Sequence, residues 1–367
     1  MNAAYSENSE TDRAAHIWRY TPWKKAHPTG EINKIPAADS PKLSVSMSDG
    51  SDVPVGISIE NATADDLARL GHDLDFGEGT AAPTFIAEIS PEIYVLRVNP
   101  KTITTAPIVL SVETLGTTCA CRLLLDIGER AEIELITVLE GEAEWFGFLR
   151  EGAFGQASIV NDVVVHVTGN RLLRCDSIRS NRDAQIRAGT VNAAAAQAKV
   201  DVRHWLPEPG ASLQVNGSIL ASRKDHLDSH VEILHSGKQT FSRLEWHTAA
   251  SGESVTTGTG MLRIDAGAKG GDAGQLFHNL LLSDKAKANS IPELEVMESE
   301  VVGCGHGTAN GPLDEYQMFY LNARGFDEEQ ARAALIAAFL NAPLSNMGSE
   351  SLHGWLINRI ESHLSGL

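Results

Sequence analysis

Apolar and polar residues alternate with a period of two through most of this chain. Val53, Val55, Ile57 and Ile59 interleave with Pro54, Gly56, Ser58 and Glu60, the pattern of a half-buried strand. From Ala82 to Ser299 such runs are short and numerous. Ile133 and Leu135 alternate with Glu132 and Glu134. Val163, Val165 and Val167 alternate with Asp162, Val164, His166 and Thr168. Leu213 and Val215 sit among Ser212, Gln214 and Asn216, and Leu262 and Ile264 among Met261, Arg263 and Asp265. Gly128, Gly141, Gly169-Asn170, Asn216-Gly217 and Gly267 punctuate them. Many short strands with regular turns predict a sandwich, a barrel or a β-solenoid. More than two hundred residues of this pattern favour the solenoid, because each coil buries its face on the next without widening the cross-section. No fixed repeat period is visible by eye.

Helical spacing frames this stretch. Ala62 to Leu70 reads as a short helix with Asn61 or Thr63 as cap and Gly71 as stop. After Gly311-Pro312 the pattern switches from period two to helical. Leu313 to Arg324 carries Leu313, Tyr316, Phe319 and Tyr320 at helical spacing and ends at Gly325. Asp327 and Gln330 form a capping box before a stripe of Ala331, Leu335, Ile336, Phe339 and Leu340. Ser349 caps a third helix with Leu352, Trp355, Leu356, Ile360 and Leu364 on one side. The expected organisation is an N-terminal arm and mixed helical region at 1–80, a β core at 81–312 and a helical domain at 313–367. Trp18, Tyr20 and Trp23, three aromatics in an otherwise polar arm, read as a hook that anchors the N-terminus to the core, with a partner contact as the alternative.

Charge and cysteine content narrow the function. The formal net charge of −18 argues against nucleic acid and against an anionic membrane surface, both of which need local positive charge. No run of about 18 apolar residues predicts a membrane span. The N-terminal MNAAYSENSETDRAAH has no apolar signal region. Four cysteines in 367 residues are too few for a disulfide framework. A cytoplasmic, reduced protein is therefore expected. His235 to Thr240 fails as a phosphate loop, because Gln239 follows the lysine and Glu232 stands where the first glycine belongs. No HExxH, CxxC or GxSxG occurs, and no catalytic residue is assigned.

Two constellations remain. Asp228, His230 and Glu232, behind Asp225-His226, would share one face of a strand; a solvated strand face is the simpler reading, a metal site the sharper one. Gly303-Cys304-Gly305-His306-Gly307 places a thiol and an imidazole two residues apart between glycines. Extended chain points both side chains the same way, and that donor pair suits iron, zinc or copper. Two ligands do not complete a four-coordinate site, so a subunit contact would have to supply the others. Cys119 and Cys121 share the spacing but lie beside Leu123 to Leu125 with no histidine near, and read as core.

From Asp225 to Phe339 the chain resembles the SufB/SufD family of the SUF iron–sulfur cluster assembly machinery. The matching blocks are DHLDSHVEI (225–233), GMLRIDAGAKGGDAGQ (260–275), NLLLSDKAKANSIPELEV (279–296) and CGHGTANGPLDEYQMFYLNARGF (304–326), with WRYTP (18–22) resembling the family's N-terminal arm. Within the family the turn at His306 that runs into Pro312-Leu313-Asp314-Glu315 is SufD-like.

The resemblance implies a right-handed parallel β-helix flanked by an N-terminal helical region and a C-terminal helical domain. It implies a non-enzymatic scaffold that pairs with SufB and binds the ATPase SufC through its C-terminal helices, here Leu313, Asp314, Phe319, Tyr320, Arg324, Leu335 and Phe339. His306, with Cys304 beside it, would face a transient iron–sulfur cluster at the SufB interface, with no tightly bound cofactor. Two other readings compete: a β-solenoid acting on carbohydrate through Asp225, Asp228 and Glu232, and a homo-oligomeric SufD-like protein that pairs with itself.

Overall fold

The computed structural model describes residues 16–71, 80–192 and 195–364, apart from the side chains at 16, 359 and 362–364. Its strands are β1 (Lys42–Met47), β2 (Ile57–Asn61), β3 (Ile93–Val98), β4 (Ile108–Thr114), β5 (Thr118–Ile127), β6 (Glu132–Gly141), β7 (Trp145–Phe154), β8 (Ile159–His166), β9 (Arg171–Ser180), β10 (Gln185–Asn192), β11 (Gln197–Leu206), β12 (Ser212–Ala221), β13 (His226–His235), β14 (Phe241–Ala250), β15 (Val255–Ile264), β16 (Asp272–Leu281), β17 (Lys287–Val296) and β18 (Gly303–Gly311). From β3 onward, odd-numbered strands stack in one sheet and even-numbered strands in the other. All pairs are parallel except at the N-terminal end, where β1 lies antiparallel on β4 and β2 on β3. The result is a β-solenoid of about 7 turns. Its N-terminal end is thus closed by two antiparallel strands that precede residue 81. Val53 and Val55 stay out of β2, because Ile57 N–H bonds back to Pro54 O in a turn.

The hidden period lies in the corners. Successive coils are offset by 27 residues at Thr118↔Trp145, 26 at Trp145↔Arg171, 29 at Gln197↔His226 and 32 at Val255↔Lys287. A drifting coil length blurs any repeat. One conformation nonetheless recurs two residues before each even strand from β6 to β16: Arg130, Ala157, Asp183, Gly210, Gln239 and Gly270 all have positive φ. Each corner donates its N–H to the residue just before the next corner, as in Arg130 to Gln156 O, Ala157 to Arg182 O and Gly210 to Lys238 O. Only two of these left-handed positions are glycine, the residue that adopts them without strain, so the signature is absent from the letters.

Alternate strand residues face either the lumen or a covered outer surface, and both are buried. The lumen packs Leu123, Leu135, Phe148, Val160, Leu213, Leu244, Leu262 and Phe277 into one core. Outside the odd sheet, Ile17, Trp18, Trp23 and the helix α2 (Ala81–Ile89), which follows α1 (Ala64–Leu70), pack on Ala120, Trp145, Leu149, Leu173 and Cys175. The aromatic hook is therefore real: Trp145 Nε1 donates to Ala26 O at 2.8 Å, and Arg171 donates to the carbonyls of Lys25, His27 and Pro28. α1 is capped by Thr63 in a box with Asp66 and stops at Gly71.

Outside the even sheet, the helices α3 (Glu315–Ala323), α4 (Glu328–Asn341) and α5 (Glu350–Leu364) follow the last coil. Ile336, Leu340, Leu352, Leu356 and Ile360 pack on Ile136, Val163, Val165, Val191 and Leu220. Asp327 and Gln330 form the expected capping box, and Ser349 accepts from Leu352 N–H.

Where the solenoid leaves no room, glycine is obligatory. Gly152 in β7 has φ +144, and a Cβ there would lie 2.1 Å from the Leu125 carbonyl oxygen of the neighbouring coil. Backbone cannot yield as a side-chain tip would. Gly152→Ala is therefore expected to cost about 3 kcal/mol or more, through overpacking joined to backbone strain. Urea denaturation checks it; a midpoint unchanged from wild type would show that the coil can shift.

Candidate functional site

The C-terminal end of the solenoid is open. β17 and β18 are the last strands of their sheets, and their residues are half-buried or exposed where those of earlier coils are buried. The register sets Cys304 beside Ala273 and His306 beside Gln275. Ala273 and Gln275 are buried, and Cys304 packs against the luminal core. Cys304, His306, Thr308 and Asn310 therefore continue the luminal face of β16 onto a rim that no further coil covers. The expected pairing of thiol and imidazole on one face is what the strand builds, with Cys304 half-buried and His306 exposed.

The rim is polar. Asn279 Nδ2 donates to Ser290 Oγ at 2.7 Å and to Asn310 Oδ1 at 2.6 Å, joining the two sheets. Gln275 Nε2 donates to Glu293 O at 2.8 Å across the lumen. Burial, and next the Asp272 carboxylate, push the Cys304 thiol above its ordinary range, so the thiol holds its proton until a cation displaces it. Among the described residues no group of three or more His, Cys, Asp or Glu side chains is placed to hold a metal ion. Cys304 and His306 fit a soft or borderline metal as donors, and on this chain they are half of a coordination set.

The second constellation is neither solvated nor free. Asp228 is 1% exposed and paired with Lys199 at 2.9 Å, under Trp18. His230 bonds Thr259 Oγ1 at 2.7 Å, and Glu232 pairs with Arg203 at 3.2 Å. Asp225 caps a turn through Ser222 N–H. The N-terminal arm has been laid over this face, which no period-two pattern announces. Two of the three carboxylates of the carbohydrate reading, Asp228 and Glu232, are thus engaged in ion pairs, and Asp225 in a turn. Cys119 and Cys121 are fully buried in the lumen as core, and burial drives both thiols up, Cys119 to about 11.

The C-terminal residues divide into two groups. Asp314 caps α3 by accepting from Tyr316 and Gln317 N–H. Phe339 stacks on His247 at 4.5 Å, and its carbonyl accepts from His247 Nδ1 at 2.7 Å, fixing α4 to the sheet. Leu335 is half-buried, and Leu313 lines a cleft of about 430 Å³ with Leu282, Asp284, Pro312 and Arg332. Phe319 and Tyr320, by contrast, are 73% and 56% exposed, with Arg324 over the Tyr320 ring. Tyr316 at 87% and Phe326 at 43% join them. α3 buries none of its residues, so this aromatic face is unpartnered among the described residues. Helical spacing alone could not separate it from a core stripe.

Residues 110–339 match the family described as SUF system FeS cluster assembly, SufBD core domain. An iron–sulfur cluster assembly SufBD family protein of Mycobacterium leprae is 30% identical over 211 residues, 56% of this chain and 52% of that protein. The iron–sulfur cluster assembly protein SufD of Escherichia coli is 26% identical over 156 residues, 42% of this chain and 37% of that protein. A chloroplastic protein of Arabidopsis thaliana, ABCI7, is 33% identical over 145 residues, 38% of this chain and 29% of that protein. The chain spans about half the length, or less, of the curated relatives it matches. No helix among the described residues is long and apolar enough to cross a membrane.

Proposed function

Since the chain belongs to the SufBD family of the SUF iron–sulfur cluster assembly system, we propose that it is a non-enzymatic scaffold of that system, pairing with a SufB-like subunit at its open end and with a SufC-like ATPase at α3. The carrying observation is the incomplete donor pair. Cys304 and His306 stand on the luminal rim of the last strand, where an adjoining subunit would add the missing ligands. The cluster is cargo: its iron and sulfide would be held between two chains and released when the seam parts. No tightly bound cofactor is required, and the cytoplasm suits the reduced thiols. α3 supplies the handle, because exposed aromatic anchors are what a partner's pocket recognises.

Co-expression with SufB-like and SufC-like partners tests the reading. Removal of 313–367 is a poor probe, because it would uncover Val163, Val165 and Leu220. Phe319→Ala with Tyr320→Ala leaves the core intact. It should weaken SufC binding by about 30-fold or more, the loss expected for one aromatic hot spot. His306→Ala and Cys304→Ala should keep both partners and lose anaerobic cluster reconstitution. Normal reconstitution by His306→Ala would remove the site assignment, and failure to co-purify with either partner would remove the scaffold reading.

A further inference from the structure

Two amide side chains, Gln275 and Asn279, tie the last coil across its lumen. Both stand on the luminal face of β16. The strand before it in the same sheet carries Leu244 and Thr248 at those register positions, and Leu244 belongs to the apolar luminal core. An interior coil is pressed by coils on both sides, so close packing sets the gap between its sheets. β17 and β18 have a coil on one side only. A directional bond of fixed length can set there the gap that one-sided packing leaves loose.

Gln275 is 1% exposed and lies beside His306 in the strand register. Its Nε2 donates to the Glu293 carbonyl of β17 at 2.8 Å. The way across is clear because β15 places Gly260 under it: a Cβ at that position would lie 2.1 Å from Gln275 Oε1. Asn279, beside Asn310 in the register, reaches Ser290 of β17 at 2.7 Å. β18 therefore rests on a strand that is fixed to β17 at two points, one of them next to His306.

We propose that Gln275 is a positioning residue for the donor pair: its bond to β17 sets where His306 and Cys304 stand relative to the ligands of an adjoining subunit. The inference rests on the scaffold reading and adds to it a residue that the donor pair does not contain. Gln275 is no ligand itself; it acts through β18, which it braces from the strand below. A coordination set must hold its donors to within about 0.5 Å, and a set shared by two chains has no other means of holding this half. Residues that orient metal ligands count for about 10- to 100-fold in metal affinity.

The complex of the full chain with SufB-like and SufC-like subunits carries the test, with ferrous iron and sulfide as the probe under anaerobic conditions. Gln275→Leu keeps an apolar fill and removes the bond. It should retain both partners and need about 10-fold more iron for half-maximal cluster formation. Gln275→Glu keeps length and volume, and donates to Glu293 O only while its carboxyl holds a proton. Its deficit against wild type should therefore widen from pH 6.5 to 8.5, while that of Gln275→Leu stays constant. Gly260→Ala drives a Cβ into the same side chain. Combined with Gln275→Leu it should add little, since both act on one bond. If Gln275→Leu melts early, the pH profile of Gln275→Glu decides alone, and a deficit that does not move with pH overturns the proposal. Wild-type iron dependence in Gln275→Leu, where His306→Ala forms no cluster, overturns it and leaves the scaffold reading standing. Loss of the SufB-like subunit from Gln275→Leu also overturns it, because the bond would then shape the interface and not the donors. Normal cluster formation by His306→Ala removes the site itself, and this inference with it.

Discussion

Acidification from pH 6.5 to about 4 should unfold this protein. Burial, first among the causes, holds the imidazoles of His27, His166, His204 and His235 down to about 4. His27 is wedged edge-on against Trp23 and tilted on Phe85. His235 is bonded to the hydroxyls of Thr240 and Ser242 at 2.8 Å. His166 meets Asn170 Oδ1 at 2.7 Å. Unfolded, each would take a proton near pH 6.5; folded, each refuses it until about 4. The unfolded chain binds more protons across that interval, so stability rises with pH there and is fully present above about 6.5. Each buried imidazole withholds on the order of 3 kcal/mol at the acid end, and four of them are comparable with the whole stability of an ordinary domain. Asp66, held low by Thr63 and Arg97, adds in the same direction only at still lower pH. Urea midpoints at pH 7.5, 6.5, 5.5 and 4.5 check this. A midpoint flat between pH 6.5 and 5 would mean that these imidazoles are not buried neutral.

Arg150→Ala should be the most damaging single truncation of a polar side chain. Arg150 is fully buried in the lumen, where it meets Asp162 and lies 3.7 Å from Asp176. Asp176 is also clasped by Arg174, whose Nη1 donates to Thr190 at 3.1 Å. Nearby charge, against the cost of burial, holds the Asp176 carboxyl below its ordinary range. Removing Arg150 leaves a carboxylate excess in a space without water-like screening, and breaking such a buried pair costs about 3–5 kcal/mol. Arg150→Met combined with Asp162→Leu removes both charges and should recover most of that loss, since an apolar pair of similar volume spares the desolvation. Guanidinium denaturation of the single and double variants decides the matter: equal losses would show that pairing contributes nothing.

Much of this molecule is legible in its letters, and what is not has a common cause. Thr63 with Asp66, Asp327 with Gln330 and Ser349 before Leu352 are caps written within four residues, and the structure keeps each of them. The strands from Ile133 to Ile264 follow their period of two. The coil repeat escapes detection because its left-handed corners are filled by Arg130, Ala157, Asp183 and Gln239 as readily as by Gly210 and Gly270. A corner's hydrogen-bond partner lies in the next coil, so the residue at the corner need not be glycine to hold its φ.

The candidate site divides in the same way. Cys304 and His306 could be paired from their spacing, and the fold puts them on one face. Their standing on an uncovered rim depends on which strand is last in each sheet. The ionic set of Arg150, Asp162, Arg174 and Asp176 looks in the sequence like ordinary outward-facing charge. Here alternation gives the wrong side: helices and the N-terminal arm cover the outer face, so apolar residues populate both faces and charge can stand in the lumen.

By itself, the sequence determined what is local: the period of each strand, the caps and stops of each helix, the aromatic hook, and a thiol and an imidazole held two residues apart. Only the tertiary structure decided which of two buried faces each strand residue enters, which aromatic stripe is left without a partner, and where the stack of coils ends. Side-chain periodicity is fixed by bond geometry within a few residues, whereas inside, outside and edge are relations between coils about thirty residues apart and are set by stacking.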